Sequence, residues 1–232
     1  MTDFSRNLLA FDTALNGCVV ACVAAGGRPV SRSVLTGRDQ AARLVPLIQE
    51  VMEEAGLAFA DLDTIITTIG PGSFTGLRIG LASARALALA LGKPLAGVTT
   101  LAAAARQASR TVAGQACAVL LETKRADFYG QLFDAHGLAE GDAQALSGAE
   151  FIAYLGDRRP IIGDAVLRFI AQTGYTGPAQ AIELLDPLDL LAVGAAAEPL
   201  ALAEPLYLRG ADVSESKKQP MVTADLSALI GE

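Results

Sequence analysis

The sequence predicts an α/β protein of two related halves around mixed central sheets, with the second half reduced. Three observations carry this. Residues 62–98 read as strand, helix, strand, the unit of a parallel sheet. Residues 8–35 read as a three-stranded meander, and its layout recurs 110 residues further on. At 232 residues the chain has room for one large domain or two small ones with real cores.

In chain order, Leu8–Asp12 is an apolar strand ending at an acid and Thr13. Cys18–Ala24 is the second strand, and Gly26-Gly27 turns the chain into a third, Pro29–Leu35. Arg38–Ala55 is helical by its apolar stripe of Ala41, Leu44, Leu47, Ile48 and Val51, with Gly56 at its stop and Pro46 predicting a kink. Ala42, Val45 and Met52 add apolar surface off that stripe, which predicts contact on a second side. Leu62–Ile69 is a β-branched run that stops at Gly70-Pro71-Gly72. Ser73 and Thr75 then offer hydroxyl caps to a helix from Thr75 to Leu91. Gly92 ends it, Lys93-Pro94 prevents a restart, and the strand Pro94–Val98 follows. A further helix runs from Thr100 to about Ser109.

The helix Thr75–Leu91 is apolar on every side, its only charges being Arg78 and Arg85. Such a helix must be covered on every side. One face packs on its own sheet; the outer face, rich in Gly and Ala around Ala82, Ala86 and Leu89, needs a second cover. That cover is another layer of the same chain or the surface of a partner, and small residues suit close helix approach.

A composition break at Thr111–Gln115 divides the chain into residues 1–110 and 111–210, and the polar residues 211–232 read as a mobile tail. Setting Leu8–Gly27 against Ala118–Gly137 aligns Asp12-Thr13 with Glu122-Thr123 without gaps. A helix near Ser147–Leu155, a strand Pro160–Ile162, a helix opened by Gly163-Asp164 and another across Leu188–Ala197 follow.

Composition narrows the function. Apolar residues make up 52% of the chain and mean hydropathy is +0.40, yet Ala86–Ala105 is interrupted by Gly92-Lys93-Pro94 and cannot span a membrane as one helix. The N-terminus lacks a signal-peptide layout, and three scattered cysteines fit reduced core thiols, so a cytoplasmic location is expected. Net charge is −7, which argues against a protein that binds nucleic acid unaided through phosphate contacts. The single histidine, His136, falls in a turn, which leaves no basis for a Ser-His-Asp site.

The loop Gly70, Pro71, Gly72, Ser73, Phe74, Thr75, Gly76 is one residue off a dinucleotide fingerprint and lacks the Lys-Ser/Thr of a phosphate-binding loop. As a longer stretch, GPGSFTGLRIGLASARALA followed by GKPLAGVTTLAA resembles the bacterial TsaB (YeaZ) family, and Leu206–Arg209 resembles its terminal PxYLR element. The resemblance implies an actin-like, sugar-kinase-like ATPase fold with two RNase H-like halves. It implies a non-catalytic partner subunit in tRNA modification, the installation of threonylcarbamoyladenosine beside the anticodon. The implied partners are the catalytic paralogue TsaD, the ATPase TsaE, tRNA only through the complex, and a second copy of the chain when alone. No tightly bound cofactor is implied, and any ATP or ADP with Mg²⁺ would be weak or shared at the partner interface.

In catalytic members of that superfamily, nucleotide lies between the halves. Asp12 and Thr13 stand at the first phosphate turn, Glu122 and Thr123 at the second, and Gly163 at the adenosine turn, with the usual extra glycines missing. Two carboxylates facing a cleft would suit Mg²⁺. A metal pair is not expected, because Thr100 and Ala104 occupy the positions of TsaD's HxxxH. The predicted partner interface is Ala42, Val45, Met52, Arg78, Ala82, Arg85, Ala86 and Leu89. A nucleotide-dependent phosphotransferase of the acetate- or sugar-kinase type remains as the alternative, with tight Mg-ATP binding as its mark. A metallopeptidase is a third, marked by stoichiometric metal.

Overall fold

A computed structural model describes residues 4–37, 39–111, 114–156, 159–200 and 203–208. Arg209 and the expected tail 211–232 lie outside the described residues. The first sheet contains β1 (Leu8–Asp12), β2 (Gly17–Val23), β3 (Val30–Leu35), β4 (Thr64–Gly70), β5 (Leu95–Thr99) and β11 (Pro199–Leu200). The second contains β6 (Cys117–Glu122), β7 (Asp127–Phe133), β8 (Ala139–Ser147), β9 (Ile161–Gly163) and β10 (Ala179–Ala181).

Strand order is β11-β5-β4-β1-β2-β3 in one sheet and β10-β9-β6-β7-β8 in the other. In each half the first strand pairs antiparallel with the second and parallel with the fourth. The order β5-β4-β1-β2-β3 thus recurs as β10-β9-β6-β7-β8, which gives the two related α/β halves that the sequence predicts.

Helices α1 (Gln40–Glu54), α2 (Phe74–Leu91), α3 (Thr100–Thr111), α4 (Gly148–Leu155), α5 (Val166–Thr173) and α6 (Pro187–Ala195) make three layers around the sheets. α1 and α2 cover the outer face of the first sheet over Leu9, Phe11, Val20 and Ile65. α3 and α6 fill the layer between the sheets, where Leu101, Ala104 and Leu190 meet Ala10, Val98, Val119 and Phe133. α4 and α5 cover the second sheet through Phe151 and Phe169 over Leu120 and Phe128. Alternating strand residues explain the two-sided burial: Leu8 and Ala10 point inward while Leu9 and Phe11 point outward.

Two expectations are corrected. Residues 111–210 were expected to form the second half, but α6 packs on the first sheet and β11 extends its edge beside β5. The chain therefore crosses back before it ends. The ungapped repeat is also out of phase. Its offset carries Leu8–Asp12 onto Ala118–Glu122, but Ala118 and Leu120 point to the outer layer, the opposite of Leu8 and Ala10. Likewise Leu8 pairs with Val23 while Ala118 pairs with Leu132 rather than Phe133. A one-residue slip reverses every side chain along a strand, so the halves correspond only with a gap of one residue.

Candidate functional site

The outer surface of α1 and α2 is the most distinctive feature of the first half. α2 begins at Ser73, whose hydroxyl accepts from the Gly76 N–H at 3.3 Å, and ends at left-handed Gly92 with Lys93 N–H returning to the Ala88 carbonyl at 3.0 Å. Thr75 lies inside the helix, exposed, and does not cap it. By length and composition α2 is long and apolar enough to cross a membrane. Here it lays Leu77, Leu81 and Ala84 on the protein and leaves Arg78, Ala82, Ala86 and Leu89 open, Leu89 to 86%. On α1, Ala42 and Val45 are also open, as is Pro46, so the carbonyl its ring leaves unpaired can reach water.

Two predicted interface residues do not belong to this surface. Met52 is buried against Cys22 and the outer core, because its position faces the sheet beside Ile48 and Val51. Arg85 is half-buried and donates to the Ala203 carbonyl, so its guanidinium is turned toward this chain. One residue that periodicity did not place joins the surface: Tyr207 is 49% exposed with its ring centroid 6.2 Å from that of Phe74. Arg78 stacks its guanidinium on the same Phe74 ring at 3.7 Å. No helical or strand pattern runs through 203–208, so only the resemblance at Leu206–Arg209 marked it.

The signature loop serves packing. Gly70 has φ +108, a conformation natural to glycine. A Cβ on Gly72 would lie 2.8 Å from the Ala14 carbonyl oxygen, and one on Gly76 would overlap that of Thr13. The bare backbone lets the start of α2 press onto the β1–β2 turn. Two bonds fasten it: Ser73 N–H to Ala14 O at 2.8 Å, and Thr13 Oγ1 to Gly76 O at 2.6 Å.

This turn stands where the resemblance implies the relic of a phosphate turn, with any nucleotide weakly held. Asp12 is 1% exposed and its Oδ1 accepts from the Ala14 N–H at 2.9 Å and from the Thr68 hydroxyl. Burial pushes its carboxyl above the ordinary range, and those same bonds act in the other direction. Its partner-to-be, Glu122, faces the outer layer and ion-pairs with Arg168, which also donates to Asp127 O at 2.8 Å and lies over the Phe128 ring. Thr123 closes its own turn by donating to Asp127 O at 2.7 Å. Gly163 lies where a Cβ would overlap the Leu120 carbonyl. Glu122, Thr123 and Gly163 therefore lie together at the end of β6 and β9, but Glu122 turns to the outer layer while Asp12 is spent on its own turn, so the two carboxylates do not face each other. Thr100 and Ala104 are fully buried, and among the described residues no three His, Cys, Asp or Glu side chains are grouped to hold a metal.

The neighbouring Asp164 accepts the Glu122 N–H at 2.9 Å, and burial pushes its carboxyl up to about 6. The folded chain thus holds this proton more tightly than the unfolded chain. Stability falls as pH rises through the window from about 4 to about 6, and the loss is complete above it. Asp164→Asn keeps the acceptor oxygen and removes the charge. It is expected to raise stability at pH 8 by on the order of 1–2 kcal/mol and to do little at pH 4. Urea denaturation at both pH values checks this; equal effects at the two would refute it.

Comparison with known proteins is consistent across sequence and structure. The family model for TsaD, tRNA N6-adenosine threonylcarbamoyltransferase, matches residues 34–153, just over half of the chain. The chain is 31% identical over 137 residues to the tRNA threonylcarbamoyladenosine biosynthesis protein TsaB of Escherichia coli, covering 58% of this chain and 59% of that one. It is 49% identical over 67 residues to a tRNA N6-adenosine threonylcarbamoyltransferase of Erythrobacter litoralis, covering 29% of this chain and 20% of the relative. These matches span a fifth to about three-fifths of the relatives' length. Among solved structures, YeaZ from Pseudomonas aeruginosa superposes with TM-score 0.77 at 27% identity over 88% of this chain and all of the other.

Proposed function

The chain belongs to the TsaB (YeaZ) family, and from that premise we propose that it is a non-catalytic adaptor in tRNA threonylcarbamoyladenosine biosynthesis. Its role is to pair with the catalytic TsaD relative through α1 and α2. The observation that carries this reading is the open stripe on α2, Arg78, Ala82, Ala86 and Leu89, on a helix too apolar to be left to water. The TsaD family model matches the stretch that contains both helices. A partner built on the same elements would present a similar pair, and like surfaces pack about a pseudo-twofold axis. The same logic has two copies of this chain pairing when the partner is absent.

The non-catalytic part of the reading is supported by positive contacts. Asp12 and Thr13 are committed to Thr68, Ala14 and Gly76, and Glu122 to Arg168. The groups that would coordinate a phosphate or Mg²⁺ in a kinase of this architecture thus hold the protein together instead. Transfer of the threonylcarbamoyl group to adenosine then belongs to the partner. The ATPase TsaE and the tRNA join through the complex, and any nucleotide is weakly held at the joint interface.

Reconstitution tests this. With TsaD, TsaE, tRNA and a threonylcarbamoyl donor, omitting this chain is expected to reduce modified adenosine at least tenfold. This chain without TsaD is expected to yield none. Modification by this chain without TsaD, or undiminished modification when it is left out, would overturn the proposal.

A further inference from the structure

The docking stripe on α2 has small residues at its centre. Ala82 and Ala86 permit close approach but offer little side chain to anchor a partner, whereas interface energy concentrates in aromatic and arginine side chains. At 3.6 residues per turn, Phe74, Arg85, Arg78, Leu89, Ala82 and Ala86 follow one another round an arc of about 120°. One border of that arc, marked by Phe74 and Arg85, is occupied by the segment Ala203–Leu208. After β11 joins the edge of the first sheet, this segment lies on the outer layer: Ala203 is buried in the outer core and its carbonyl accepts from Arg85. Leu206 N–H donates to Ile69 O at 2.7 Å, immediately before the signature loop. Tyr207 then stands beside Phe74, whose ring Arg78 also covers.

We infer that Ala203–Leu208 is a strap that completes the docking face, with Tyr207, Phe74 and Arg78 forming its aromatic anchor for the TsaD relative. This rests on the pairing reading above and adds where the affinity resides. Three tethers at Ala203 and Leu206 fix the strap while Phe74 and Tyr207 stay half-exposed, 55% and 49%. Rings held that way lose little freedom when a partner covers them, which favours their use as anchors. The Leu89 side chain supplies the apolar anchor at the other end of the stripe.

The test uses the full chain and purified TsaD from the same genome, with binding measured by calorimetry and folding by thermal melting. Tyr207→Ala is expected to weaken binding about 2- to 10-fold with an unchanged melting midpoint, the range of an aromatic pair. Tyr207→Phe, which keeps the ring, is expected to bind like the native chain. Native-like binding by Tyr207→Ala overturns the strap's part in docking, and so does equal weakening by Tyr207→Phe. A melting midpoint that falls together with binding also overturns it, since the strap would then be core. Failure of the native chain to bind is a different result, and it removes the pairing reading itself.

Discussion

Gly76→Ala is expected to destabilise the chain by about 3 kcal/mol or more. The added methyl would overlap the Thr13 carbonyl oxygen, a backbone atom that cannot rotate aside. Relief requires the start of α2 to lift off the β1–β2 turn. That movement breaks the bonds Thr13 Oγ1 to Gly76 O and Ser73 N–H to Ala14 O. Gly80 enlarges the effect, because it too faces Thr13 and relies on the same close seat. Gly92→Ala is the matched control: it has a left-handed φ of +63 but open space around it, so only the conformational penalty of about 1–2 kcal/mol applies. Chemical denaturation of the two variants separates the cases. A loss at Gly76 no larger than at Gly92 would mean that this loop does not clamp the two elements.

That clamp bears on what the sequence could reveal. Pattern and turn residues placed the strands of the first half within a residue or two: β1 and β2 are apolar runs, whereas β3, VSRSVL, was marked by the Gly26-Gly27 turn before it. Of the stripe Ala41, Leu44, Leu47, Ile48 and Val51, all but the exposed Ala41 mark the buried side of α1. Met52 was misplaced because it is next to Val51 in the chain, and at 100° per residue a neighbour still lies on the buried side of a wide stripe. Arg85 was misplaced for another reason: its partner, the Ala203 carbonyl, is a backbone atom far along the chain, and no side-chain pattern announces it. Glu122 matched Asp12 as an acid at a strand end, yet inward and outward alternate every residue, so an alignment wrong by one sends the carboxylate to the opposite layer. Function was legible mainly in the loop from Gly70 to Gly76, whose glycines are required by contacts the sequence does not spell out.

Ala82→Glu is expected to weaken pairing with TsaD about 100-fold or more while the monomer keeps its native stability. Ala82 is exposed at the middle of the stripe, so the new side chain meets water and not the core. Glutamate is a good helix former, and Arg78 one turn earlier can face it, so the change in monomer stability is expected within about 0.5 kcal/mol. In a complex the carboxylate would be trapped between two close-packed helices. Leaving a charge buried without full compensation costs roughly 3–5 kcal/mol, and each 1.4 kcal/mol is a factor of about ten. The same variant is expected to sediment as a monomer where the native chain pairs with itself. Leu138→Glu, on an exposed leucine in the β7–β8 turn of the second half, is expected to leave both associations intact. Calorimetry and sedimentation distinguish the outcomes: undiminished binding by Ala82→Glu would place the contact elsewhere, and an equal loss with Leu138→Glu would point to charge repulsion between whole molecules instead of a local face.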